Sequence, residues 1–186
     1  MTRYAGSRAV VVGQATGIGL AIAKRLVEGG AEVLLTAGTA PERAHASAEL
    51  GSAARVVAPD GVRAALGPVG VEGHGGGIDL VFADAVPTVR PLLPRLEDGG
   101  SVVLTAAAPT PASVRALAAE LVSRGIRVNA VAPSCIEAPA GGAAPLPPLG
   151  RLGSAEEVAR AALFLATDAT FTTGARLPVD GGLGRP

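Results

Sequence analysis

Short unbroken apolar runs alternate along this chain with segments whose apolar positions recur every three or four residues. The first run, Arg8 to Gly13 (RAVVVG), has the character of a strand buried on both faces in a parallel sheet. Ile18 to Glu28 follows, with Leu20, Ala23, Leu26 and Val27 at helical spacing, and Gly29-Gly30 stops it. Ala31 to Thr36 predicts a second strand, Pro41 to Leu50 a helix with proline in its first turn, and Ala53 to Ala58 a weaker strand. The pattern is least regular from Gly61 to Gly77, where a short helix and a loop are expected. Ile78 to Ala83 predicts a strand, and Val89 to Glu97 a short helix interrupted by Pro91 and Pro94. Asp98-Gly99-Gly100 predicts a turn into a strand over Ser101 to Thr105. Ala112 to Arg124 predicts a helix closed by Gly125, and Ile126 to Ala132 another strand. Ala138 to Leu149 is too rich in Pro and Gly for regular structure and is expected to be a loop or lid. Ser154 to Thr167 opens with a Ser154…Glu157 capping box and predicts a helix, with Ala175 to Val179 a closing strand. About seven alternations of strand and helix without an internal repeat predict an α/β fold: a parallel sheet covered by helices on both faces and joined by right-handed crossovers, one domain over residues 1–186.

Composition narrows the function classes. Sixteen basic residues balance sixteen acidic ones and 17% of positions are charged, so nothing predicts binding to nucleic acid or to an anionic membrane surface. Three Phe, one Tyr and no Trp leave little for stacking on bases. A single cysteine, Cys135, excludes an internal disulfide or a multi-cysteine metal site, and His45 and His74 lack ligand spacing, so no metal is expected. No apolar run approaches the roughly 20 residues of a membrane helix, and the expectation is a cytoplasmic protein. Lys24 is the sole lysine, and Ala and Gly make up about a third of the chain, so packed elements can approach closely while each buries little area.

Gly13-Gln-Ala-Thr16-Gly17-Ile18-Gly19 lies between the first strand and the first helix. Glycines there permit a tight turn and close approach of the backbone to a pyrophosphate, and the helix N-terminus offers its unpaired N–H groups to phosphate. The segment Val11 to Leu26 is similar to the TGxxxGIG region of the short-chain dehydrogenases/reductases, with Val12 in place of the usual Thr. Gly125 to Pro133 (GIRVNAVAP) resembles that family's gIRVNaVaPG segment, and Gly150 to Asp168 with Thr173-Gly174…Val179-Asp-Gly-Gly182 resembles its C-terminal signature. The resemblance implies a Rossmann-type doubly wound parallel sheet, a dinucleotide site for NADP(H) or NAD(H), and an oxidoreductase label. It implies contacts from Gly13, Thr16, Gly17, Ile18 and Gly19, and places Asp60 near the adenine. Gly38 and Thr39 stand where family members present the residue that chooses between the two dinucleotides. Nearby, Arg43 could reach a 2′-phosphate and Glu42 a ribose hydroxyl, or both could be solvated helix charges.

The same resemblance exposes three losses. The family's proton transfer uses an Asn, a Ser and a Tyr-x-x-x-Lys pair, whereas the only tyrosine here is Tyr4 and the only lysine is Lys24. Ala106 and Ala107 stand where the serine belongs, and from Ala107 to Glu120 there are too few residues for the Tyr-x-x-x-Lys helix, whose first half is missing. Phe82-Ala-Asp-Ala85 replaces the NNAG turn, with a helix after it cut to about Val89 to Glu97. The substrate-lid sequence between Pro133 and Gly150 is short and rich in Pro and Gly. The middle helices are therefore expected to be short or missing, and ordinary carbonyl reduction to be lost.

Other chemistry remains open. Asp84, Thr105, Cys135 and Glu137 follow strand ends and are expected to converge at the carboxyl edge of the sheet. Asp84 or Glu137 as base and Cys135 as nucleophile would make a non-redox enzyme of isomerase or cyclase type, while a buried cysteine with two solvated acids would make none. His74-Gly-Gly-Gly77 is similar to an esterase oxyanion loop, but the chain has no G-x-S-x-G elbow. The expected partners are a dinucleotide, a small-molecule substrate, and a second copy of the chain docked through Ser154 to Asp180, which the family uses for dimers. A non-catalytic binding or scaffold subunit is the further alternative.

Overall fold

A computed structural model describes residues 3–13, 15–67, 77–105, 110–137 and 146–184. Ala106, Ala107, His74, most of the expected loop over Ala138 to Leu149, and most of Gly67 to Gly77 lie outside the described residues. Seven strands form one all-parallel sheet in the order β3-β2-β1-β4-β5-β6-β7. They are β1 (Arg8–Val12), β2 (Glu32–Thr36), β3 (Ala54–Val57), β4 (Ile78–Ala83), β5 (Leu96–Leu104), β6 (Arg127–Pro133) and β7 (Arg176–Val179). The helices are α1 (Gly17–Glu28), α2 (Ala40–Leu50), α3 (Val62–Leu66), α4 (Val86–Val89), α5 (Pro111–Leu121) and α6 (Ala155–Leu163).

Alternate strand residues serve opposite faces, and two separate cores result. Ala9, Val11, Val33, Leu35, Leu80, Phe82, Val103 and Val131 pack under α1 and α6. Val10, Leu34, Val81, Val102, Leu104, Val128 and Ala130 pack with α5 and with Val89 and Leu92. Ala21, Ala23, Ala159 and Ala162 are buried between α1 and α6 and the sheet, where larger side chains would hold the layers apart.

Three expected elements differ. The helix expected over Val89 to Glu97 is instead the four residues of α4 followed by a 3-10 turn over Arg90–Arg95. Pro87 starts it, and Pro91 and Pro94 lack the N–H groups an α-helix would need. The turn expected at Asp98 to Gly100 lies inside β5. Ile78 pairs with Leu96 and Leu80 with Ser101, so three extra residues bulge from the strand, with Gly99 at φ +81°. The helix expected to Thr167 ends at Leu163 and continues as one π turn, Phe164–Asp168. With five and four residues, α3 and α4 are the shortest helices described.

Candidate functional site

The strand order reverses direction between β1 and β4, the point where doubly wound sheets open a crevice at their carboxyl edge. A cleft of about 320 Å³ lies there, lined by Gly13, Thr16, Gly17, Ile18 and Gly19 on one side and by Asp84, Thr105 and Glu137 on the other. Gly13 (φ +135°) and Gly17 (φ +54°) take backbone conformations that suit glycine, which is why the chain can leave β1 and enter α1 within so few residues. The Gly13 N–H donates to Oγ1 of Thr36 at 3.0 Å, a buried hydroxyl at the end of β2 that fixes the turn against the neighbouring strand.

The helix ends differ in their capping. Thr39, Thr110 and Ser154 each accept from a first-turn N–H of α2, α5 and α6. Thr16 occupies the same position at α1, but its side chain accepts no such bond, and the first turn of α1 carries no acid. The positive end of α1 and its N–H groups therefore face the cleft without a cap from Thr16 or from an acid in the first turn. This donor set suits a pyrophosphate.

Asp84 is exposed beside Gly13; a Cβ built on Gly13 would lie 3.6 Å from that of Asp84. Its Oδ1 accepts from the Thr88 hydroxyl at 2.7 Å, a partner one helical turn on that orients the carboxylate. Thr105 donates to the Ala83 carbonyl through both its N–H (2.8 Å) and its hydroxyl (3.3 Å), tying β5 to β4 at the cleft floor. Glu137 is held by its backbone: Cys135 O accepts from Gly153 N–H and Glu137 N–H donates to Gly153 O, around an Ile136–Gly153 bridge. Cys135 itself, at φ +51°, does not line the cleft, so the acids and the cysteine are not brought together there.

Thr39 and Glu42 form a reciprocal capping box on α2, with the Glu42 carboxylate accepting the Thr39 N–H at 3.1 Å. Arg43 donates to the Ala37 carbonyl at 3.4 Å. Asp60 is exposed in a 3-10 turn just beyond β3. None of Gly38, Thr39, Arg43 and Asp60 lines the described cleft. Tyr4 is buried at the opposite end of α1, against Gly29, and Lys24 is paired with Glu49 at 2.5 Å, so the only phenol and the only ammonium side chain lie outside the cleft. A second hollow of about 260 Å³, lined by Arg8, Glu32, Arg55, Leu66 and Ile78, lies at the amino end of the strands, away from the crevice. Among the described residues, no cluster of His, Cys, Asp or Glu could hold a metal ion, and no helix is long and apolar enough to cross a membrane.

Residues 7–63 match the family model for short chain dehydrogenases, and residues 97–184 match that for enoyl-(acyl carrier protein) reductases. An oxidoreductase of Sarocladium schorii, asL5, is 30% identical over 243 aligned positions covering 97% of each chain. The chain belongs to the short-chain dehydrogenase/reductase family. A 3-oxoacyl-(acyl-carrier-protein) reductase, FabG, of Salmonella typhimurium is 31% identical over 241 positions, covering 97% of this chain and 98% of its own. A short-chain dehydrogenase/reductase of Serratia marcescens shares the fold at TM-score 0.82 and 22% identity, over 98% of this chain and all of that one. The two family models leave residues 64–96 unmatched, and α4 lies in that gap.

The Arg127-Val128-Asn129 triplet of β6 has a structural role. Arg127 inserts its guanidinium under the π turn, donating to the carbonyls of Leu165 (2.7 Å), Ala166 (2.5 Å) and Ala169 (3.1 Å). Burial holds its pKa below the usual arginine value. Fully buried Asn129 donates to Thr172 O and accepts from Ala175 N–H, and Thr173 Oγ1 accepts from Val128 N–H. The RVN triplet thus staples β6 to the segment that leads into β7. Sequence patterning missed these roles, and also those of Thr36 and Thr88; a polar residue closing an apolar run and a Thr four residues after Asp84 were the available signals.

Proposed function

We propose that residues 1–186 form one domain that binds a nicotinamide dinucleotide, NAD(H) or NADP(H), and does not carry out the family's Ser-Tyr-Lys carbonyl reduction. The uncapped N-terminus of α1, opening behind a glycine turn at the switch point of the sheet, carries the reading. When bound, the dinucleotide supplies hydride chemistry. The chain's own part is to hold it: Gly13, Thr16, Gly17, Ile18 and Gly19 present backbone to the pyrophosphate, and Thr36 keeps the turn in register. Gly38, Thr39, Arg43 and Asp60, which follow β2 and β3 outside the described cleft, are assigned to the adenosine half by the family resemblance. No phenol or ammonium side chain lines the cleft to hand a proton to a substrate, and the alignments with full-length relatives run to 241 positions against 186 residues here, which supports shortening of the catalytic middle.

Calorimetric titration with NADH and NADPH tests the reading. Saturable binding to the wild type, abolished in Gly17→Asp and retained in Gly17→Asn, is the expected result. Asparagine tolerates the left-handed backbone at Gly17, so the pair separates charge from strain. Failure of folded wild-type protein to bind either dinucleotide would overturn it.

The chain also has a face for a second copy. β7 is an edge strand, and Phe164 (51% exposed), Phe171 (fully exposed) and Leu183 stand out near it. Exposed apolar side chains beside an edge strand support a homodimer through α6 and β7. Light scattering should give a dimer that Phe171→Ser weakens; a wild-type monomer or tetramer would refute it.

A further inference from the structure

The charge lining the cleft is one-sided. Asp84 and Glu137 are both exposed at its mouth, and among the described lining residues there is no cation. Residues 106–109 (AAAP) and 138–145 (APAGGAAP), which lie outside the described residues, contain no charged residue. Arg151 stands within electrostatic range of Glu137, but its guanidinium is clamped bidentate by Glu157, at 2.6 and 3.0 Å.

The two acids sit on one half of the crevice. In a doubly wound sheet the adenosine half lies over the ends of β2 and β3, on one side of the glycine turn. The other half then extends over β4, β5 and β6, where Asp84, Thr105 and Glu137 stand. The nicotinamide ring carries a positive charge when oxidised and none when reduced, while the phosphates are the same in both. Repulsion between the carboxylates and the phosphates therefore cancels in a comparison of the two forms, and the ring charge remains.

We propose that the carboxylates of Asp84 and Glu137 make this cleft bind the oxidised, pyridinium form of a nicotinamide dinucleotide more tightly than the reduced form. The inference rests on the dinucleotide reading above and adds to it the redox state that the protein selects. The Thr88 hydroxyl acts as a positioning group, keeping the Asp84 carboxylate beside the glycine turn. In a solvated cleft a carboxylate about 4 Å from the ring charge contributes about fivefold and a more distant one less, for a preference between about fivefold and about 25-fold at low salt. For a two-electron couple, tenfold tighter binding of the oxidised form lowers the potential of the bound couple by about 30 mV.

Calorimetric titration of the wild-type protein with NAD+ against NADH, and NADP+ against NADPH, reads the ratio directly. The expected result is a smaller Kd for the oxidised form, a ratio that shrinks from 10 mM to 1 M salt as the exposed charges are screened, and a ratio near one in Asp84→Asn/Glu137→Gln. Both substitutions are isosteric and at exposed positions, and thermal melting checks that they fold. Equal or tighter binding of the reduced form overturns the inference and leaves the dinucleotide reading standing. A wild-type preference unchanged in the double variant overturns the assignment to these two residues. Binding of neither form, in folded protein, sinks both readings together.

Discussion

Replacing Arg127 by Met should cost this protein more stability than any change at its surface. The guanidinium serves three carbonyls at the end of α6 and the π turn, on residues that are themselves buried (Leu165, Ala166 and Ala169). A π turn at a helix terminus leaves carbonyls without intrahelical donors, and a planar cation beneath it also meets the negative end of the helix dipole. Methionine fills much of the volume but donates nothing. Three buried acceptors losing a charged donor would cost roughly 1–3 kcal/mol each if independent. Part of this returns because the cation no longer has to be held away from water, the same burial that lowers its pKa. A net loss of about 3 kcal/mol follows, which in a chain of this length lowers Tm by about 6–12 °C.

Differential scanning calorimetry on Arg127→Met, Arg127→Lys and the exposed control Arg160→Met decides the matter. Lysine should recover less than half of the loss, because one compact ammonium cannot span carbonyls from three residues. Arg160→Met should shift Tm by no more than about 1–2 °C. Hydrogen exchange should accelerate in Arg127→Met across residues 164–175, the segment that Asn129 also anchors. A fall in Tm below about 2 °C, with unchanged exchange there, would mean that water serves these carbonyls equally well and would refute the capping argument.

Two further outcomes follow from single groups. Ser101 is 2% exposed and its hydroxyl has no hydrogen-bond partner among the described residues, so Ser101→Ala should raise stability by about 1 kcal/mol, seen as a Tm rise of about 2–4 °C; a lower Tm would show that the hydroxyl is satisfied after all. The Glu157 carboxyl is held down to about 2 by the Arg151 guanidinium and by the N–H and hydroxyl of Ser154. Its pKa is depressed on folding, so its contribution is complete above the ordinary value of 4.5 and fades as pH falls toward 2. Glu157→Gln should therefore lose stability at pH 7 and flatten the melting profile between pH 4.5 and 2, and an acid limb identical to wild type would contradict the assignment.

Much of this architecture is legible in the chain because parallel strands buried on both faces leave unbroken apolar runs. β1, β2, β4 and β6 lie within a residue or two of the expected bounds for that reason. β5 was obscured because Asp98-Gly-Gly100 carries turn chemistry, and only pairing with Ile78 draws Leu96 into the strand. At the site, the glycine spacing and the acids after β4 and β6 could be read directly, since strand ends converge by topology. Glu42 could be read from the sequence either as a ribose partner or as a solvated helix charge; in the fold its carboxylate accepts the Thr39 N–H, because Thr39-x-x-Glu42 is a capping signature. Cys135 stands apart from the lining because the short bridge between Ile136 and Gly153, a long-range contact without local signal, sets the backbone around it.

Lys24 is the sole lysine, so nearly every basic side chain is an arginine, and the structure puts these to use. Short and interrupted helices multiply helix ends, and each end leaves carbonyls without intrahelical donors. Arg95 donates to Leu66 O and Gly67 O where α3 stops after five residues. Arg124 donates to Leu93 O and Leu96 O beside the proline-interrupted 3-10 turn and pairs with Asp98 at the β5 bulge. Arg127 does the same beneath the π turn. Each is a fork gathering carbonyls from two or more residues, a task suited to a planar guanidinium and poorly to a lysine ammonium. Where helices are short or interrupted by proline, arginine caps thus stand in for helical hydrogen bonds and hold the chain against the sheet.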